Sequence, residues 1–247
     1  ARLHPQRPTV KKLWRSRHPS GGTSRLQKRE ILTRPSIHPE TIADRQQKLD
    51  GKLYCCLIDL KKAFDSVRRP QLYETLVNTG WNPETVAMLA ELQHEGTSKL
   101  LINNKESRTF MIQKGVRQGG ISSPMCFNVI PEMLSRRLKE VDDCGIRMPM
   151  MSHKINHLLF ADDLLLFGWN NEELHKLVTI AIEWAQHYNL EINEAKTEVI
   201  ALHTRHNPNI IINGQRIPAS NPTYLGFTMD YKMKGNAHMK ERVRKGN

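Results

Sequence analysis

Asp162 and Asp163 stand side by side between two apolar runs, in Phe160-Ala161-Asp162-Asp163-Leu164. Adjacent carboxylates in a tight turn beside a core repel one another. A cation held by oxygen ligands alone, as magnesium is, resolves that conflict. An ordinary exposed turn, where aspartate is common, is the alternative. A third acid, Asp59, ends the apolar run 53–58 (LYCCLI). Taken alone it reads as a strand-end or helix-cap aspartate. Together with a second acidic turn it gains weight, because carboxylates from two strands can share a pair of metal ions about 4 Å apart, the arrangement that drives in-line phosphoryl transfer. A third segment runs Gly115-Val116-Arg117-Gln118-Gly119-Gly120 into Ser123-Pro124. Its glycines permit close backbone approach, and the helix start after it offers free N–H groups to an anion or a base. On its own it could equally be a plain strand-to-helix loop.

Positioning these groups requires strands and helices in alternation. The run 53–58 has strand length, and 155–160 and 164–167 read as strands bracketing Ala161-Asp162-Asp163. Pro70, the spacing of Leu72, Tyr73, Leu76 and Val77, and Gly80 mark one helix; Asn82-Pro83 through Gly96 mark a second. Residues 100–103 and 109–113 read as a β-hairpin around a polar turn. A helix over about 123–140 follows, which Pro131 should bend. The helix opening at Asn171-Glu172-Glu173 carries acids in its first turn and Leu174, Leu177, Val178, Ala181, Ile182 and Ala185 along one face. Residues 197–203 form a further strand, and Asn213-Gly214 is a two-residue hairpin turn. Interleaved strands and helices with hairpins imply a mixed α/β layer fold.

The charge balance is basic, with 37 Lys and Arg against 25 Asp and Glu, a formal +12. That excess attracts polyanions, nucleic acid above all, although a solvated basic face gives the same count. Nine Lys and Arg precede Glu30, the first acid. This start is too polar to fold alone: it suits a phosphate-binding arm, a mitochondrial transit peptide or the frayed end of a truncated gene. Cys55 and Cys56 are adjacent, Cys126 and Cys144 are isolated, and no CxxC pair makes a zinc site. Reduced thiols in an intracellular protein are expected. No apolar run approaches the roughly 20 residues of a membrane span.

In order, LIDLKKAFDSV, GVRQGGISSP, LLFADDLLLF, LEINEAKTEV and TYLGF resemble the motifs of reverse transcriptases. The AFDSV form points to the LINE-type (non-LTR) and group II intron branch. The resemblance covers about residues 49–230. It implies an α/β (α+β) polymerase palm: an antiparallel sheet backed by helices, with a basic irregular arm before it. It implies RNA-directed DNA synthesis from dNTP onto a DNA primer along an RNA template, with two Mg2+ ions (Mn2+ in second place). Asp59, Asp162 and Asp163 become the catalytic metal-binding acids, with Leu60 beside them in the metal set. Ala63, Phe64, Gln118, Gly119 and Lys196 become nucleotide-binding residues. Phe64 is the ring that excludes a 2′-hydroxyl, or else a core aromatic; Lys196 is a charge stabiliser or proton donor near the triphosphate, or else a solvated strand-entry residue. Tyr224, Leu225 and Gly226 match the primer grip, where backbone and ring position the primer end.

Several departures stand beside these matches. The loop reads QGGISSP where LINE-type enzymes carry QG-x-PLSP. The stretch from Arg34-Pro35-Ser36 to Arg45 is a worn counterpart of the segment before the first aspartate, and fingers and thumb find little room. The expected organisation is a basic arm with a fingers remnant over 1–48, the palm over 49–205, a primer-grip region over 206–231 and a basic tail over 232–247. Two functions follow: an RNA-directed DNA polymerase domain, or an inactive descendant that binds nucleic acid or builds a ribonucleoprotein. A retroelement product would work in the nucleus or cytoplasm; an import signal at the Arg-rich start would send it to the mitochondrion.

Overall fold

The computed structural model describes residues 39–49, 51–94, 97–111, 114–116, 123–149, 151–204 and 206–230. The basic arm before Pro39, the tail after Asp230, and Gln118 and Gly119 lie outside the described residues. The chain between Arg69 and Gln113 forms one compact unit, and the described residues on either side of it form another.

Four antiparallel strands make the sheet of the larger unit, in the spatial order Glu198–Leu202, Leu53–Ile58, Asp163–Gly168, His157–Phe160. Leu53 and Cys55 share a buried cluster with Leu165 and Phe167 from one neighbouring strand and Ile200 and Leu202 from the other. The intervening Cys56, Ile58, Leu164, Leu166 and Val199 are buried as well. Covering on both faces is why these strands read as unbroken apolar runs rather than alternating ones. Burial pushes both adjacent thiols up, Cys56 to about 12 and Cys55 further, so they pack as small hydrophobes.

Helix Asn171–His187 packs on the two central strands with Leu174, Leu177, Val178 and Ala181 inward. Its cap is Asn170, whose side-chain oxygen accepts the Glu173 N–H at 2.8 Å, worth about 1 kcal/mol. Trp184 Nε1 donates to the Ile130 carbonyl at 3.1 Å, linking it to the neighbouring helix Val129–Lys139. That helix corrects an expectation. Instead of one helix bent at Pro131, there are two, Ser123–Phe127 and Val129–Lys139, divided at Asn128. Pro131 has no N–H to give Phe127, so the ladder breaks there, and the proline falls in a first turn that needs no donor.

Order also begins earlier than the expected boundary near Leu49. Helix Pro39–Lys48 buries Ile42 and Ala43 in the same cluster as Leu53 and Cys55. Full burial of a side chain such as Ile42 contributes about 1.5–3 kcal/mol. At the other end, Tyr224 and Met229, from the region read as primer-grip-like over 206–231, join that cluster. The turn Asn213-Gly214 forms as expected, with both residues at positive φ.

In the smaller unit, helices Arg69–Asn78 and Pro83–His94 pack together, and Arg69 Nη1 donates to the Gln93 carbonyl at 2.7 Å. The hairpin after them has a different register from the expected one. Leu101 pairs with Glu106 and Thr97 with Met111, around a turn at Asn103-Asn104. Both asparagines adopt positive φ, the conformation of a tight two-residue turn, and this fixes the pairing.

Candidate active site

Strand register brings the acids together. Ile58 pairs with Leu164, so Asp59, one residue further on, and Asp163, one residue earlier, sit at adjoining ends of neighbouring strands. Asp163 also pairs with Phe160 across the hairpin, leaving Ala161-Asp162 as its tip. Ala161 takes φ of +54°; for a residue with a Cβ, that conformation costs about 1–2 kcal/mol. Burial raises the Asp163 carboxyl above the ordinary carboxylate range, and the charges of Asp162 and then Asp59 raise it further. All three acids thus share one electrostatic neighbourhood, with Asp163 partly buried and Asp162 exposed at the tip.

Among the described residues, no group of three His, Cys, Asp or Glu stands close enough to form a ready-made metal cage. The donor set nevertheless suits a hard divalent cation. Asp59, Asp162 and Asp163 supply only carboxylate oxygens, and the like charge that raises Asp163 is what a cation would relieve. These are the three residues that would hold it.

Asp59 is held from the far side by the chain around Asn193. Its carbonyl accepts the Asn193 N–H at 2.8 Å, its Oδ2 accepts Asn193 Nδ2–H at 2.9 Å, and its own N–H donates to Thr197 Oγ1 at 3.3 Å. Leu60 is buried and pairs with Ile192 in a two-stranded ribbon beside this contact. Lys196 lies exposed in the same 193–197 turn, its N–H donating to the Asn193 carbonyl at 3.1 Å. Nothing in the sequence pattern signals Asn193 or Thr197 as partners of Asp59. The one hint is an asparagine, a turn former, three residues before Lys196.

Ala63 is buried and opens a single helical turn, Ala63–Ser66; Phe64 next to it is partly buried. The Phe64 ring stacks on Phe127 with centroids 4.1 Å apart. The first residues of the glycine loop clamp this turn. Gly115 N–H donates to the Val67 carbonyl at 2.8 Å and Val116 N–H to the Phe64 carbonyl at 2.9 Å. At φ of +83°, Gly115 lies so close that a Cβ would come within 2.8 Å of the Asp65 Cα. Close approach was the reason to single out the glycines, and here it is made to the chain itself.

Strands Thr223–Tyr224 and Phe227–Thr228 form a hairpin turned by Leu225-Gly226, both at positive φ. Tyr224, matched to the primer grip, is 3% exposed, and burial followed by the charge of Asp163 pushes its hydroxyl to about 12. Alternation along the strand turns Tyr224 inward and leaves Leu225, 51% exposed, at the accessible tip. Thr223, Leu225 and Gly226 are the exposed positions among the hairpin's described side chains.

Comparison with known proteins shows the family. The profile of the family "Reverse transcriptase (RNA-dependent DNA polymerase)" matches residues 16–229. The retrovirus-related Pol polyprotein of the R2 retrotransposable element from Nasonia vitripennis is 30% identical over 172 residues, covering 70% of this chain and 16% of the relative. Its counterpart from Popillia japonica is 25% identical over 185 residues, covering 74% of this chain and 28% of the relative. The chain thus spans well under a third of either relative. A solved telomerase from Candida tropicalis, in complex with a fragment of telomeric RNA, superposes with a TM-score of 0.55 at 16% identity, over 80% of this chain and 33% of that one. This likeness is one of fold, that of a polymerase palm. The chain belongs to the reverse transcriptase family, on the branch of the non-LTR retrotransposons.

Proposed function

We propose that the chain is the catalytic palm of an RNA-directed DNA polymerase that adds deoxynucleotides to a DNA primer along an RNA template, with Mg2+ as its divalent cation and Mn2+ as a substitute. The observation that carries this reading is the strand register, which sets Asp59 and Asp163 at adjoining ends of paired strands with Asp162 at the hairpin tip. The raised carboxyl of Asp163, from burial and then the charges of Asp162 and Asp59, supports it, because a bound cation would relieve that repulsion. The reverse transcriptase family generally works with divalent metals. Two such ions, when bound, lower the pKa of the primer 3′-hydroxyl and neutralise the departing pyrophosphate.

The chain's own residues do the rest by positioning. Asp59 and Asp163 sit on ends of paired strands, so their backbone is fixed before any substrate arrives. Phe64, backed by Phe127, is stiff enough to exclude a sugar bearing a 2′-hydroxyl. Lys196, in the turn that holds Asp59, supplies positive charge for the triphosphate. Leu225 and Gly226 offer main chain to the primer end. Nucleic acid as partner draws support from the Pol polyprotein relatives and from the telomerase bound to RNA. The basic charge of the chain favours it as well.

To test the reading, residues 16–229 replace the matching segment of the Nasonia R2 polyprotein. Primer extension on an RNA template should then require Mg2+ or Mn2+ and vanish with Asp163→Asn. A chimera that folds and binds primer-template yet never extends it would leave the chain as a nucleic-acid-binding component.

A further inference from the structure

Asp59 is hydrogen-bonded through its N–H, its carbonyl and its carboxylate to a single turn. Three groups of the 193–197 turn engage it: the Asn193 N–H, the Asn193 side chain and the Thr197 hydroxyl. Asn193 is also the hub of the turn itself, because its carbonyl accepts the N–H of Lys196 at 3.1 Å and of Thr197 at 2.8 Å. A carboxylate only accepts, so the amide end facing Asp59 Oδ2 is the nitrogen. This contact spans 134 residues of sequence and forms beside the ribbon Leu60–Lys61 with Glu191–Ile192. The ribbon carries its own ties, with Lys61 Nζ 3.6 Å from Glu194 Oε2 and Asn213 Nδ2 2.6 Å from Glu194 Oε1.

Main-chain bonds and the ribbon hold the turn, and the Asn193 side chain makes its contact with the carboxylate rather than with the turn. It donates to one carboxylate oxygen of Asp59, Oδ2, at 2.9 Å. Thr197, fully buried, anchors the Asp59 backbone at the same time. We propose that Asn193 is the positioning residue for Asp59, orienting its carboxylate for divalent cations and tying the place of Lys196 to that of the acid. The proposal rests on reading Asp59 as a metal-binding residue.

Mn2+ binding to the full 247-residue chain, followed by electron paramagnetic resonance of the free ion, tests it without any turnover. Asn193→Leu keeps the volume and removes the donor; Asn193→Ala removes both, and in each the main-chain bonds persist. Both variants should weaken Mn2+ binding about tenfold, the scale of one lost hydrogen bond to a charged group, while their melting midpoints without metal stay within a few degrees of wild type. On an Asp59→Asn background, which itself abolishes the site, adding Asn193→Leu should change nothing further. Wild-type Mn2+ affinity in both Asn193 variants, with Asp59→Asn still losing the ion, would overturn the positioning role and leave Asp59 as ligand. Undiminished binding in Asp59→Asn, or none in the wild type, would overturn the metal reading and this inference with it.

Discussion

Adding one methyl group at Gly115 should destabilise the chain by about 2–5 kcal/mol. Gly115 has φ of +83°, and a Cβ there would lie 2.8 Å from the Asp65 Cα, 2.9 Å from its carbonyl oxygen and 3.0 Å from its carbonyl carbon. All three are backbone atoms, so no side chain can swing aside. The left-handed conformation alone costs a residue with a Cβ about 1–2 kcal/mol; forcing apart packed backbone adds about 1–3 kcal/mol, typical of overpacking. Gly214 provides the control. Its φ is +79°, almost the same, yet a Cβ there meets nothing within 4 Å. Gly214→Ala should therefore lose only the conformational part. Equilibrium urea unfolding of both variants, followed by circular dichroism, gives the difference directly if the slopes match wild type. Equal losses at the two positions would mean that the 115–116 strap does not press on the turn carrying Phe64, and the account of how the glycine loop holds that ring would be wrong.

Asp163→Asn should raise the melting temperature of the metal-free chain near neutral pH, because a carboxyl whose folded pKa is raised weakens the fold as it ionises; a lower midpoint would refute the crowding of the three acids. His157 tests the reverse sign. Burial first, then Lys139 and His153, push its pKa from 6.5 to about 4. Between those values the unfolded chain takes up a proton that the folded chain refuses, so stability should drop by about 2–3 kcal/mol from pH 7 to 4.5. His157→Gln should flatten that part of the profile, and an unchanged slope would assign it to other groups. Phe64→Val, in the chimera that extends primers, should relax discrimination against ribonucleotides and lose the stack on Phe127; intact selectivity would return the ring to the core.

The elements legible in the sequence are those whose pattern is periodic or whose turn chemistry is local. The run LYCCLI ends as a strand where the apolar residues end, and the helix from Asn171 follows its i, i+3, i+4 spacing. Asn213-Gly214 declared its own hairpin. Helix Pro39–Lys48 was missed because Ile42 and Ala43 are its only buried apolar side chains besides the opening proline. Two apolar positions in ten residues give no stripe, and the helix is fixed by the core it lands on rather than by its own periodicity. Pro131 misled in the opposite way. A proline in a helical window signals a break, but the break falls at the residues whose hydrogen bond is lost, three or four positions upstream.

The same division runs through the site. Aspartates at the ends of apolar runs are visible because charge beside a core is costly, and that cost points to a compensating cation whatever the fold. What orients them is hidden, since a hydrogen-bonding partner is defined by proximity in space and carries no periodicity in sequence. Asn193 reaches Asp59 because the ribbon that pairs Leu60 with Ile192 sets the two segments side by side. Tyr224 shows the converse. Its motif suggests an exposed, ligand-facing ring, yet strand alternation and the tight turn at Leu225-Gly226 bury it within reach of Asp163's charge. Tyr224 packs in the core cluster with Leu165 and Phe167 of the strand that carries Asp163, while Leu225 at the turn is exposed. Motif matching names the hairpin, and only the register says which of its residues turns inward.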